Sequence, residues 1–122
     1  MNITTRANDF PLTDAIDTFV KDELRSALQR LDAEIVSIDV SMKDANGPKG
    51  GVDKQVLICV RLRNRQQVAL DTAHENLYAA IKTGVKRTRR TIQRTLRKSR
   101  RVDRQTLREL LDDRPLTAVP RV

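Results

Sequence analysis

The chain has 122 residues, 39% hydrophobic and 33% charged, with a formal net charge of +8. This length suits one domain with a single core, and the balance is that of a globular protein rather than a disordered one. No run approaches the roughly 18 consecutive apolar residues of a membrane span, and residues 1–6 lack the layout of a secretory leader, so a cytoplasmic protein is expected. The single cysteine, Cys59, excludes an internal disulfide and agrees with a reducing compartment.

Residues 2–7 are short and rich in β-branched types, which predicts an opening strand that Pro11 stops. Thr13 is placed to cap a helix, and Asp14 and Asp17 suit its positive end. Ala15, Ile16, Phe19, Val20, Leu24, Ala27, Leu28 and Leu31 recur at three- and four-residue steps, the apolar stripe of a helix over about 14–31.

The period then changes to two. Val36, Ile38, Val40 and Met42 alternate with Ser37, Asp39, Ser41 and Lys43, as in a strand with one face on a core. Residues 44–53 are turn-forming throughout, and the glycine-rich stretch 47–51 lacks the spacing and following helix of a phosphate loop. Val56, Ile58, Val60 and Leu62 form a second inward set, opposite Gln55, Leu57, Cys59, Arg61 and Arg63. A tight turn near Asn64 and Arg65 leads to a shorter strand, 66–71, with Val68 and Leu70 inward.

Thr72 and Glu75 have capping-box spacing, which predicts a long helix from there to about residue 101, interrupted only by Gly84. His74 then falls in the first helical turn with a local structural role, and Phe10, Phe19 and Tyr78 are expected in the core. Residues 102–122 carry a weak stripe at Leu107, Leu110 and Leu111, followed by Pro115 and Pro120. The expected organisation is one α+β domain over 1–101 and a flexible or partly helical tail over 102–122.

The order β-α-β-β-β-α implies a parallel first pair with a right-handed crossover, continued by an antiparallel meander. The expected fold class is α+β: a two-layer sandwich with a four-stranded mixed sheet and two helices on one face.

On a wheel of 100° per residue, Leu77, Tyr78, Ile81, Val85, Thr88, Ile92, Leu96 and Ser99 gather on one side of the last helix. Lys82, Lys86, Arg87, Arg89, Arg90, Arg94, Arg97, Lys98, Arg100 and Arg101 take the other, and no acidic side chain occurs between residues 76 and 102. Lys82, Lys86, Arg90, Arg94 and Lys98 stand at successive four-residue steps. Each like-charge pair at that spacing costs an isolated helix about 0.2–0.5 kcal/mol. A face needing only solubility would mix in glutamates, so the row points to a polyanion. The helix, ~42 Å long against ~26 Å for a strand, is expected to project past the sheet.

One Tyr, two Phe and no Trp supply no platform for stacking unpaired bases. Contact with phosphates and the shape of folded RNA is favoured, with Lys82, Lys86, Arg87, Arg89, Arg90, Arg94, Arg97, Lys98 and Arg101 as candidate RNA-binding residues. Lys54, Arg61 and Arg63 are auxiliary phosphate candidates. A membrane role is not expected, because the apolar face of the basic helix is committed to the sheet. No metal-ligand spacing or catalytic constellation is present, so neither a cofactor nor a small-molecule substrate nor an enzyme is expected.

The sequence Asn76-Leu77-Tyr78-Ala79-Ala80-Ile81 opening a basic final helix, with Ile3-Thr4, Leu12-Thr13-Asp14-Ala15 and Phe19-Val20 upstream, resembles the ribosome hibernation-promoting factor and ribosome-associated translation inhibitor family over about residues 1–100. The resemblance implies a double-stranded-RNA-binding-like fold and binding to ribosomal RNA between head and body of the small ribosomal subunit, where messenger and transfer RNA would sit. Occupying that site would silence and protect idle ribosomes. The family's recurring basic positions fall at Arg87, Arg90, Arg94 and Lys98, while Lys82 and Lys86 stand where the family usually has acids. The chain resembles a short form, expected to be monomeric off the ribosome and to need another factor to pair ribosomes. Two alternatives stay open: a general structured-RNA- or DNA-binding accessory protein, and a protein-interaction module using the open sheet face.

Overall fold

The computed structural model describes residues 1–8, 10–44 and 54–112. The predicted 44–53 loop from its second residue on, and the tail beyond 112 with Pro115 and Pro120, lie outside the described residues. Two units are distinguished, Met1–Thr91 and a second starting at Ile92.

Four strands, β1 (Asn2–Asn8), β2 (Ile35–Asp44), β3 (Lys54–Leu62) and β4 (Gln67–His74), form one sheet in the order β1-β2-β3-β4. β1 runs parallel to β2, and the two following pairs are antiparallel. The register aligns three apolar rows on one face. Ile3, Ile38, Val60 and Val68 make the first row, and Thr5, Val40, Ile58 and Leu70 the second. Ala7, Met42, Val56 and Thr72 make the third. Period-two patterning therefore commits one face to the core and leaves the other with Thr4, Asp39, Cys59 and Ala69 and the rows beside them.

The first helix, α1 (Asp14–Leu28), starts where the sequence places it, with the Thr13 hydroxyl accepting the Ile16 N–H at 3.2 Å. It buries Val20, Leu24 and Leu28. The Thr5 hydroxyl donates to the Asp17 carboxylate, which ties α1 to the inward face of β1. The second helix, α2 (Leu77–Asp112), meets the same face at Gly84, where an added Cβ would lie 3.2 Å from Ile58 Cδ1 and 3.4 Å from Thr72 Oγ1. Both helices thus cover one side of a mixed sheet, the two-layer α+β arrangement expected from the sequence.

Several details differ from expectation. The predicted inward position of Val36 is wrong: Val36 is 40% exposed, and Ile35 is buried instead. The register shifts between Ile35 and Ser37, a bulge that turns the extra residue to the open face. The first helix does not continue to 31 as α-helix; it tightens into a 3₁₀ segment, Gln29–Glu34. Thr72 and Glu75 do not form a capping box, because β4 runs on to His74 and Thr72 is a buried sheet residue. His74 accordingly ends a strand, its Nδ1 accepting the Asn76 N–H at 3.0 Å. Tyr78 is not a core residue: it is 43% exposed and meets half-buried Phe19 edge-on, with centroids 4.7 Å apart. Finally, α2 does not stop near 101 but extends to Asp112, since no Gly or Pro stands between residues 101 and 115 and leucines are good helix formers. Val102, Leu107, Leu110 and Leu111 in that extension are exposed.

Candidate nucleic-acid interface

Asn76 starts α2. Its Oδ1 accepts the N–H groups of Tyr78 and Ala79 at 2.8 and 3.3 Å, satisfying two donors that a helix N-terminus leaves unpaired. In the unit ending at Thr91, Ala80, Ile81, Gly84, Val85 and Thr88 are buried, which fixes the opposite side of that stretch toward solvent. Lys82, Lys86, Arg87, Arg89 and Arg90 are all exposed there. In the second unit, Arg94, Arg97, Lys98 and Arg101 are exposed, while Ile92 and Leu96 are buried. Every candidate RNA-binding residue taken from the sequence is therefore on the surface of α2.

Among the described residues, the salt bridges join Met1 to Asp32, Lys21 to Asp17 and Lys54 to Asp44. None involves Lys82, Lys86, Arg89, Arg90, Arg94, Arg97 or Lys98, so these charges are not neutralised within the described chain. Arg87 is different. Its guanidinium donates to the Asp71 carbonyl and the Thr72 hydroxyl, each at 3.0 Å, so it also ties α2 to β4. Arg89 shares a groove of about 370 Å³ with Ser26, Gln29 and Arg30, which carries the positive surface toward the end of α1.

Of the auxiliary candidates, Lys54 is paired with Asp44 at 2.9 Å. Arg61 and Arg63 lie together near the β3–β4 hairpin, and the structure adds Arg65, which the sequence reading treated only as a turn residue. Its signal was the alternation of arginines at 61, 63 and 65. Among the described residues, no group of three His, Cys, Asp or Glu side chains could hold a metal ion, and no helix is long and apolar enough to cross a membrane.

This arrangement has relatives. Residues 2–100 match the family described as Sigma 54 modulation protein / S30EA ribosomal protein. The chain belongs to that family. The N-terminal domain of Protein Y from Thermus thermophilus is 26% identical, with a TM-score of 0.65 over 78% of this chain and 99% of that one. A ribosomal subunit interface protein from Coxiella burnetii, 15% identical, shares the fold with a TM-score of 0.66 over 78% of this chain and 97% of the other. No curated protein sequence matches the chain significantly. Membership in the S30EA family agrees with the hibernation-factor resemblance drawn from the Tyr78-Ala79-Ala80-Ile81 motif. The family match covers all of the basic row from Lys82 to Lys98.

Proposed function

We propose that this S30EA-family chain is a ribosome-binding translation inhibitor that occupies the messenger and transfer RNA site of the small subunit through the basic face of α2, inactivating and protecting idle ribosomes. The observation that carries the reading is the exposed basic face of α2, free of acids over residues 77–102, on a fold shared with a ribosomal subunit interface protein. Lys82, Lys86, Arg87, Arg89, Arg90, Arg94, Arg97, Lys98 and Arg101 would neutralise phosphates of folded ribosomal RNA, releasing counterions and giving affinity that falls steeply with salt. With Tyr78 engaged edge-on by Phe19, base stacking contributes little to this reading. The protein acts as a steric plug: it needs no cofactor and makes no covalent change.

The test is sedimentation with small ribosomal subunits at low and high salt, comparing the wild type with Arg90→Glu/Arg94→Glu/Lys98→Glu. Arg87 is left in place because its bonds to Asp71 and Thr72 would confound binding with folding. Near-stoichiometric co-sedimentation of wild type, loss in the variant, and competition by messenger and transfer RNA are the expected results. Binding that needs large excess and is stripped by unrelated RNA would leave a general structured-RNA or DNA binder instead.

A further inference from the structure

The β3–β4 hairpin carries a second concentration of positive charge. Val36, Arg61, Arg63, Arg65, Gln66 and Gln67 border a cleft of about 380 Å³, with no acid among its lining residues. Three features make it a built site rather than a scatter of surface arginines.

The hairpin is closed and braced by hydrogen bonds. Arg65 N–H donates to the Leu62 carbonyl at 3.1 Å and Leu62 N–H to Gln66 at 2.9 Å, closing a three-residue connection. The Asn64 and Gln66 side chains brace it, with Asn64 Nδ2 on Gln66 Oε1 at 2.9 Å and Gln66 N–H on Asn64 Oδ1 at 3.0 Å. Arg63 fastens the hairpin to the 3₁₀ segment, its backbone N–H donating to Glu34 O at 3.0 Å and its Nε to Ala33 O at 2.6 Å.

The floor is set by the bulge in β2. Had the strand kept register, Val36 would face the core; turned outward, it adds an apolar side chain to the lining of the cleft. Arg61 is flanked across the sheet by neutral Ser37 and Gln67, and Asp39 pairs in the next row with Cys59.

Arg65 sits at φ 72°, the only positive φ outside glycine among the described residues. That turn position favours glycine or asparagine, which adopt the left-handed region at little cost. A long cation there gives up turn stability, which is explicable if its guanidinium binds something.

We infer that this cleft is a phosphate-binding site for the RNA backbone, separate from the basic face of α2, with Arg61 and Arg65 as its ligands and Arg63 as the residue that positions the hairpin. The inference rests on the reading of the chain as an RNA binder. It adds a second anchor on the other side of the sheet layer, so that two elements rather than one set the orientation of the domain on its RNA.

The experiment compares three full-length proteins on small ribosomal subunits across a salt series: wild type, Arg61→Gln/Arg65→Gly, and Lys86→Gln/Arg90→Gln. The hairpin pair is expected to lose roughly tenfold in affinity at low salt and about two from the log–log salt slope, while its melting temperature stays level or rises. A hairpin pair with wild-type affinity and slope overturns the cleft, and loss in the α2 pair alone would leave the proposed function standing. If wild type itself does not bind subunits, the proposed function falls, and the cleft is judged on arginine Nε–H resonances with a short RNA duplex. Shifts at Arg61 and Arg65 keep it. No shift with the duplex overturns it, as do shifts there with a polyglutamate peptide alone, which would assign the cleft to an acidic protein partner.

Discussion

The two helices on the same side of the sheet solve the problem of a solvent-facing surface differently. α1 mixes Asp14, Asp17, Asp22 and Glu23 with Lys21 and Arg25, and Lys21 reaches Asp17 at 3.1 Å across one turn. α2 places cations at ten positions between 82 and 101 and no acid among them. Both helices bury an apolar stripe, so packing does not explain the difference. α1 shows that this fold can be kept soluble with mixed charge, and α2 departs from that at a cost of several tenths of a kcal/mol per turn. On the proposed function, α2 and not α1 carries that cost because its surface meets the RNA.

The largest expected effect comes from giving α2 the charge pattern of α1. Lys86→Glu/Arg94→Glu places an acid between Lys82, Arg90 and Lys98, converting four repulsive four-residue steps into attractive ones. Affinity for small subunits should fall at least a hundredfold, because two phosphate contacts are lost and two repulsions gained. Unfolding stability should rise by about 1 kcal/mol after solvent screening. Denaturant titration read beside binding checks both. A variant that binds as wild type would mean that the acid-free face is not the contact surface and the contrast between the helices carries no function.

How α2 is seated gives the next effect. Gly84 lets the helix approach Ile58 and Thr72 closely: an added Cβ would lie 3.2 Å from the Ile58 methyl. Gly84→Val should cost about 2 kcal/mol by overpacking. Gly84→Ala should lie near neutral, since the helix-propensity gain of about 1 kcal/mol offsets a few tenths of an ångström of displacement at a flexible methyl. Loss of α2 amide protection with α1 amide protection retained would separate the two helices experimentally.

Much of this was legible in the chain, for reasons that differ by element. Strands β2 and β3 announce themselves because Ile38, Val40 and Met42 and then Val56, Ile58 and Val60 repeat at period two, a pattern no helix shares. The bulge was not legible: Ile35 and Val36 are adjacent, both apolar and β-branched, and only pairing with Leu62 and Arg61 decides which faces inward. Thr72 and Glu75 imitate a cap, whereas Thr72 is spent on the sheet and on Arg87, and Asn76 caps four residues later. The basic face of α2 could be seen because charge pattern along one helix is written linearly in sequence. The cleft at Arg61 and Arg65 needed the turn geometry and the bulge, neither of which follows from composition.

A smaller effect sharpens the contrast between the buried stripes. Thr88 is fully buried in α2, and its hydroxyl has no hydrogen-bond partner among the described residues. Thr88→Val keeps the shape and removes the unpaired group, so stability should rise by about 1 kcal/mol. RNA affinity should not change, because residue 88 lies on the face away from the basic row. A loss of stability on making this change would mean that the hydroxyl is satisfied within the folded protein after all.

The smallest effect belongs to α1 and is a matter of pH. The Thr5 hydroxyl, then the Lys21 ammonium, hold the Asp17 carboxyl below the usual aspartate range, with Arg25 adding a weaker attraction. A carboxylate lowered by folding contributes stability that is fully present above its unfolded value of about 4 and lost as pH falls through the folded one. Wild type should therefore lose more stability than Asp17→Asn on acidification below about pH 4, and the two should run parallel above pH 6. No corresponding carboxylate lies on α2 between 77 and 102, so this acid-sensitive increment is tied to the β1–α1 contact. If Asp17→Asn leaves the acid limb of the stability curve unchanged, Asp17 interacts with Thr5 and Lys21 as strongly in the unfolded chain as in the native one.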